Sequence, residues 1–150
     1  MKSDALVDLT IEIFRVNGRL LAAGDRLVAP IGLTSARWQV IGAVALAGQP
    51  QTVPSIARAM GLTRQAVQRL VNELVADGLI EARPNPAHRR ANLFALTDPG
   101  EAAVADASTR QAPWADAVAT SLSIEEIKTA EALLRRLRDG LEAQQATQEA

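Results

Sequence analysis

Every charged side chain between Thr63 and Asn72 is an arginine, and the longer polar side chains beside them are amides. Gln65, Gln68, Arg69 and Asn72 recur at i, i+3, i+4 and i+7, which gathers them on one face of a helix, with Arg64 beside them at its N-terminal end. Side chains of these types can read base edges: arginine spans guanine O6 and N7, while glutamine and asparagine span adenine N6 and N7. Thr63 and the free N–H groups of a helix start suit a phosphate. An ordinary amphipathic helix with a solvated polar face has the same spacing. Against that alternative stands the absence of Glu and Asp from residues 63–72, since solvated faces normally mix both signs. A second set lies at Arg89 and Arg90, after the turn-rich Asn85-Pro86-Ala87-His88. A basic hairpin tip of this kind can enter a narrow minor groove, unless the two arginines are incidental on a surface hairpin.

Other chemistries find little support. The chain has no Cys and a single His, so thiolate sites, cysteine nucleophiles and transition-metal centres are not expected. Without a Gly-rich phosphate loop or clustered carboxylates it is read as a non-enzyme that needs no cofactor. Phe14, Arg15, Arg19, Trp38 and Trp114 can line an apolar pocket with one cationic corner, fit for a small aromatic or anionic effector. The plainer account, which their types favour, has both tryptophans filling the core and both arginines in solvent. The start of the chain carries Asp4, Asp8 and Glu12 at helical spacing, unlike a signal peptide, and no apolar run reaches the ~20 residues of a membrane span; a cytoplasmic location is expected.

The net charge of -1 is unusual for a partner of nucleic acid, so its distribution matters. Residues 1–57 carry +1, residues 58–100 carry +2 and residues 101–150 carry -4. Arg58, Arg64 and Arg69 lie in an acid-free stretch over 58–72, and Arg83, Arg89 and Arg90 in another over 82–97. Two basic segments on an otherwise acidic chain suggest a localised electrostatic footprint.

The elements that must position these residues follow from apolar spacing and punctuation. Leu6, Leu9, Ile13, Val16, Leu20 and Leu27 mark one face of a helix over about 4–28, stopped by Pro30 and Gly32. Thr34 caps a second helix that runs through Trp38, Val40, Ile41, Val44 and Leu46 to Gly48. A short helix begins at Pro54 and ends at Met60, Gly61-Leu62 turns the chain, and Thr63 caps a helix of roughly 15 residues ending at Asp77-Gly78. Strands are expected at 79–84 and 92–97. Thr97 or Asp98 starts a helix to about Thr120, and Ser123 with Glu126 forms a capping box for a last helix whose tail frays after Gln144.

Small Ala57, then Gly61, then the inward aliphatics Val67, Leu70, Val71 and Leu74 have the spacing of a helix-turn-helix whose second helix enters the major groove. With these segments in place the chain resembles the MarR family (multiple antibiotic resistance regulators) over nearly its whole length. The likeness is carried by the long first helix, Leu33-Thr-Ser-Ala-Arg-Trp38, Gly61-Leu-Thr-Arg-Gln-Ala-Val-Gln-Arg-Leu-Val-Asn72, Asp77-Gly-Leu-Ile80, Asn85-Pro-Ala-His-Arg-Arg90 and Leu96-Thr-Asp-Pro-Gly100. It departs at His88, where the family usually has an Asp that holds the wing arginine.

The resemblance implies a mainly α protein with a small β-wing. A winged helix-turn-helix part (about 33–99) is flanked by dimerisation helices (about 4–29 and 100–145) in one domain over 1–150. It further implies a homodimer that binds double-stranded DNA at pseudo-palindromic operators as a repressor, with release by a small organic ligand. The candidate DNA contacts are Thr63, Arg64, Gln65, Gln68, Arg69, Asn72, Arg89 and Arg90. The alternative is a winged-helix protein-interaction module without DNA binding, which would have no need of those basic faces. Physics also favours pairing: the terminal helices carry more apolar positions than one winged domain covers, and a second copy would bury them and bring twelve arginines of the acid-free segments together.

Overall fold

The computed structural model describes residues 1–148. The elements are α1 (Lys2–Val28), α2 (Ser35–Ala47), α3 (Val53–Met60), α4 (Arg64–Ala76), β1 (Ile80–Arg83), β2 (Leu93–Leu96), α5 (Asp98–Val118) and α6 (Ile124–Gln148). This is the expected mainly helical winged fold. The contacts divide the chain into two compact units, Met1–Gln111 and the residues from Ala112 onwards.

In the first unit α2 packs on α1, α3, α4 and β2, while α4 also packs on α3 and β1. Val40, Ile41 and Val44 of α2, Ile56 of α3, Val67, Val71 and Leu74 of α4, Ile80 and Phe94 make a buried core, aliphatic but for the one ring. Leu46, in contrast, is 87% exposed, because two residues after Val44 a helix has turned its side chain to the opposite face. Local sequence sets the boundaries. The side chains of Thr34, Thr52 and Thr63 accept from the N–H groups of Arg37, Ser55 and Ala66. α1 ends in a 3-10 turn at Ala29–Ile31 that carries Pro30.

The strands pair antiparallel in the register Ile80↔Leu96, Glu81↔Ala95, Ala82↔Phe94 and Arg83↔Leu93, each strand one residue shorter at either end than the alternation suggests. A third segment joins them. Gln51 N–H donates to the Phe94 carbonyl (2.9 Å) and Phe94 N–H to the Gln51 carbonyl (2.8 Å), tying the wing to the chain just before α3. At the wing's far side the Thr97 hydroxyl donates to the Gly78 carbonyl (2.6 Å) and accepts from Gly100 N–H (3.2 Å), so it both caps α5 and holds it to the turn after α4.

The second unit holds the end of α5, a 3-10 turn at Ala119–Ser121 and α6. Ser123 and Glu126 form the expected capping box: Ser123 N–H and hydroxyl donate to the Glu126 carboxylate (2.8 Å each), and Glu126 N–H returns a bond to Ser123 Oγ (3.2 Å). The fraying expected after Gln144 is not seen within the described residues, since α6 continues to Gln148. Ala and Gln at 143–146 are good helix formers, which explains the extension. Residues 149 and 150 lie outside the described residues. No single described helix is long and apolar enough to cross a membrane.

Candidate nucleic-acid interface

The helix-turn-helix is built at Gly61. Its φ of +65° lies in the left-handed region, which a side chain would strain, and the sharp turn there lets α3 and α4 meet over buried Ala57. Val67, Leu70, Val71 and Leu74 all point inward from α4, and this fixes which face remains outside. Thr63, Arg64, Gln65, Gln68, Arg69 and Asn72 are all exposed. α4 has 13 residues between its caps Thr63 and Asp77, and the roughly 15 expected is this span with both caps counted.

α4 and the wing share a groove of about 430 Å³. Arg64, Gln65 and Gln68 line it from α4, Arg90, Ala91 and Asn92 from the wing, and Val53, Pro54 and Phe94 complete it. Four of the eight candidate contacts therefore come together, while Thr63, Arg69, Asn72 and Arg89 lie outside it. Asn92 is a residue that sequence reasoning misses. It stands between the wing arginines and β2, where Arg90, Ala91 and Asn92 in succession and then Phe94 line the groove.

Hydrogen bonds sort the polar residues further. Thr63 Oγ1 is occupied by Ala66 N–H (3.1 Å), and Gln68 Nε2 donates to Asn72 Oδ1 (2.9 Å). Arg69 pairs with Glu73 (2.9 Å) and Arg83 with Glu81 (2.7 Å). The two acid-free segments are thus less free than their composition suggests, because a long arginine reaches the carboxylate just beyond each boundary. Arg58, Arg64, Arg89 and Arg90 have no ion pair among the described residues, so these two segments keep four unpaired arginines rather than six. At the wing tip Asn85 Oδ1 accepts from Ala87 N–H (3.0 Å) and the Asn85 carbonyl from His88 N–H (3.2 Å), which shapes the turn presenting the arginines.

Arg37 is likewise invisible to sequence reasoning. Its guanidinium, on a side chain 15% exposed, donates to the Gly32 carbonyl (3.3 Å) and to the carboxylate of Asp77, joining the start of α2 to the end of α4.

The residues weighed for an effector fall in different settings. Phe14 is 71% exposed on α1, Arg19 is exposed, and Arg15 pairs with Glu12 (3.3 Å). Trp38 is half-buried against the core of the first unit. Trp114 is half-buried and belongs to the second unit. No group of three or more metal-ligating side chains occurs among the described residues.

Comparison with known proteins fits this geometry. The sequence profile of the MarR family matches residues 31–91, the stretch from the end of α1 through the wing arginines. An uncharacterised protein of Mycobacterium tuberculosis (strain ATCC 25618 / H37Rv) is 43% identical over 98 residues, covering 65% of this chain and 67% of its own. The multiple antibiotic resistance protein MarR of Salmonella typhimurium is 27% identical over 128 residues, or 83% of this chain and 87% of that one. Among solved structures, a point mutant of Escherichia coli MarR complexed with operator DNA superposes with a TM-score of 0.77 at 23% identity, covering 89% of this chain and 95% of that one. Arginine-tipped wing, helix-turn-helix and long first helix agree with the sequence profile and the structural likeness, and the chain belongs to the MarR family of winged-helix transcription regulators.

Proposed function

We propose that this protein is a duplex-DNA-binding regulator that represses at pseudo-palindromic operators as a homodimer, is released by a small organic ligand, and catalyses no reaction. The observation that carries the DNA reading is the shared groove, in which Arg64, Gln65 and Gln68 of a helix-turn-helix face Arg90 of the wing. A helix in the major groove with an arginine reaching the flanking minor groove needs that juxtaposition. The fold of Escherichia coli MarR, solved with operator DNA, supports the same reading. The test is selection of bound duplexes from a random pool, followed by titration of the best duplex with the wild type and Arg90→Ala. Arg90→Ala should weaken binding by about tenfold or more while leaving the oligomeric state unchanged. Undiminished binding would take Arg90 out of the interface, and a wild type that binds no duplex would favour the protein-interaction module instead. For the ligand, a screen for small molecules that release the selected duplex is the direct measurement.

A further inference from the structure

We propose that the groove between α4 and the wing seats one sugar–phosphate strand of the duplex, held from opposite walls by Arg64 and Asn92, so that these two residues grip backbone rather than read bases. This rests on the DNA-binding reading above. The major and minor grooves of a duplex are the two gaps between the same pair of strands. A protein with a helix in one groove and a wing in the next must therefore straddle a strand, and whatever separates helix from wing must receive it.

The lining matches that occupant. It has two arginines and no carboxylate, and neither Arg64 nor Arg90 is engaged in an ion pair among the described residues. Val53, Pro54 and Phe94 offer the sugar an apolar contact with no charge to desolvate. Arg64 is the first residue of a 13-residue helix, where unpaired N–H groups and the helix dipole add to its own charge in favouring a phosphate. Asn92 reaches the groove from the wing and brings an amide donor with no charge. Gln68 also faces the groove, but its Nε2 already donates to Asn72 Oδ1 (2.9 Å), so it is not assigned to the backbone grip.

Backbone contacts raise affinity for all sequences, whereas base contacts change sequence preference. The experiment titrates the selected operator and an unrelated duplex of equal length with the full chain, by fluorescence anisotropy at several salt concentrations. Arg64→Ala should weaken both duplexes about equally, by roughly tenfold, and reduce the slope of log affinity against log salt by about one. Asn92→Ala should weaken both a few-fold with the slope unchanged. Asn92→Asp should weaken both more than Asn92→Ala, because it sets a carboxylate against the phosphate. Arg64→Lys should keep the wild-type slope. The proposal is overturned if Arg64→Ala or Asn92→Ala alters the ratio between the two duplexes severalfold, or if Asn92→Asp binds as wild type does. A wild-type chain that binds neither duplex overturns the DNA reading itself, and this proposal with it.

Discussion

A methyl group at position 100 would stand 1.9 Å from the Leu79 carbonyl oxygen, and one at position 24 would stand 2.2 Å from Ser35 Oγ. Both glycines sit where α-helical backbone presses on a neighbouring segment, but the obstacles differ. The Leu79 carbonyl is backbone and accepts Thr97 N–H (3.1 Å), so it cannot swing aside. The Ser35 hydroxyl is a small side chain, although it is buried and donates to the Leu21 carbonyl (2.6 Å). Gly100→Ala should therefore cost about 3 kcal/mol or more and Gly24→Ala about 1–3 kcal/mol, read as shifts of the urea midpoint. Ser35→Ala should recover part of the second loss and none of the first. Residue-scale contacts of this kind are poorly legible in sequence. Gly24 looks like a blemish in a long helix, and nothing in its neighbours announces that Ser35 lies beneath it. Thr34, Thr63 and Ser123 were legible, because a cap involves only residues three places apart.

At the scale of elements, α4 carries the reading face and Arg37 holds its far end. Asp77 at the C-terminus of α4 places a negative charge where the helix dipole is already negative, and Arg37 offsets it. Removing either partner should lower stability by about 1 kcal/mol. A double-mutant cycle with Arg37→Met and Asp77→Asn should show a coupling near that size, and strict additivity would deny the pair a role. Forty residues separate these partners, so no periodicity could have revealed them. The Arg69–Glu73 pair is different: its four-residue spacing was visible, and a boundary drawn at Asn72 hid it.

The last helix gives a pH prediction. Hydrogen bonds from the Ser123 backbone and then its side chain hold the Glu126 carboxyl below its ordinary value of 4.5. A depressed carboxylate stabilises the folded form fully above the ordinary value, and that contribution disappears as pH falls through the lowered one. The carboxyl resonance of Glu126 should therefore titrate with a midpoint under 4.5, and Ser123→Ala should return it towards 4.5. A midpoint at or above that value in the wild type would contradict the capping box.

For the whole molecule, the unpartnered apolar surface points to a second copy. In the first unit α1 leaves Leu6, Phe14, Val16 and Leu20 exposed, and in the second α6 leaves Ile127, Leu133, Leu134 and Leu141 exposed. The sedimentation coefficient should be that of a dimer at micromolar concentration, and Leu20→Glu or Leu134→Glu should shift it towards the monomer without unfolding the core of the first unit. A folded wild-type monomer at that concentration would rule the assembly out. Two copies would offer eight unpaired arginines from the two acid-free segments rather than the twelve counted from sequence. If roughly six to ten phosphates are neutralised, affinity for DNA should fall ~10³–10⁵-fold between 50 and 200 mM salt. The order of elements was legible because apolar spacing and capping are local. The division of the chain near Gln111 was not, since it falls inside α5 rather than at a turn or linker.

Pro113 lies inside α5, two residues beyond Gln111. Its ring has no amide proton to offer the Thr109 carbonyl and crowds that oxygen as well. One rung is thus missing from the ladder where the chain passes from one unit to the next. Amide deuteration should be faster on either side of this gap than along the buried face of α4, giving the chain a soft joint written into a single imino acid.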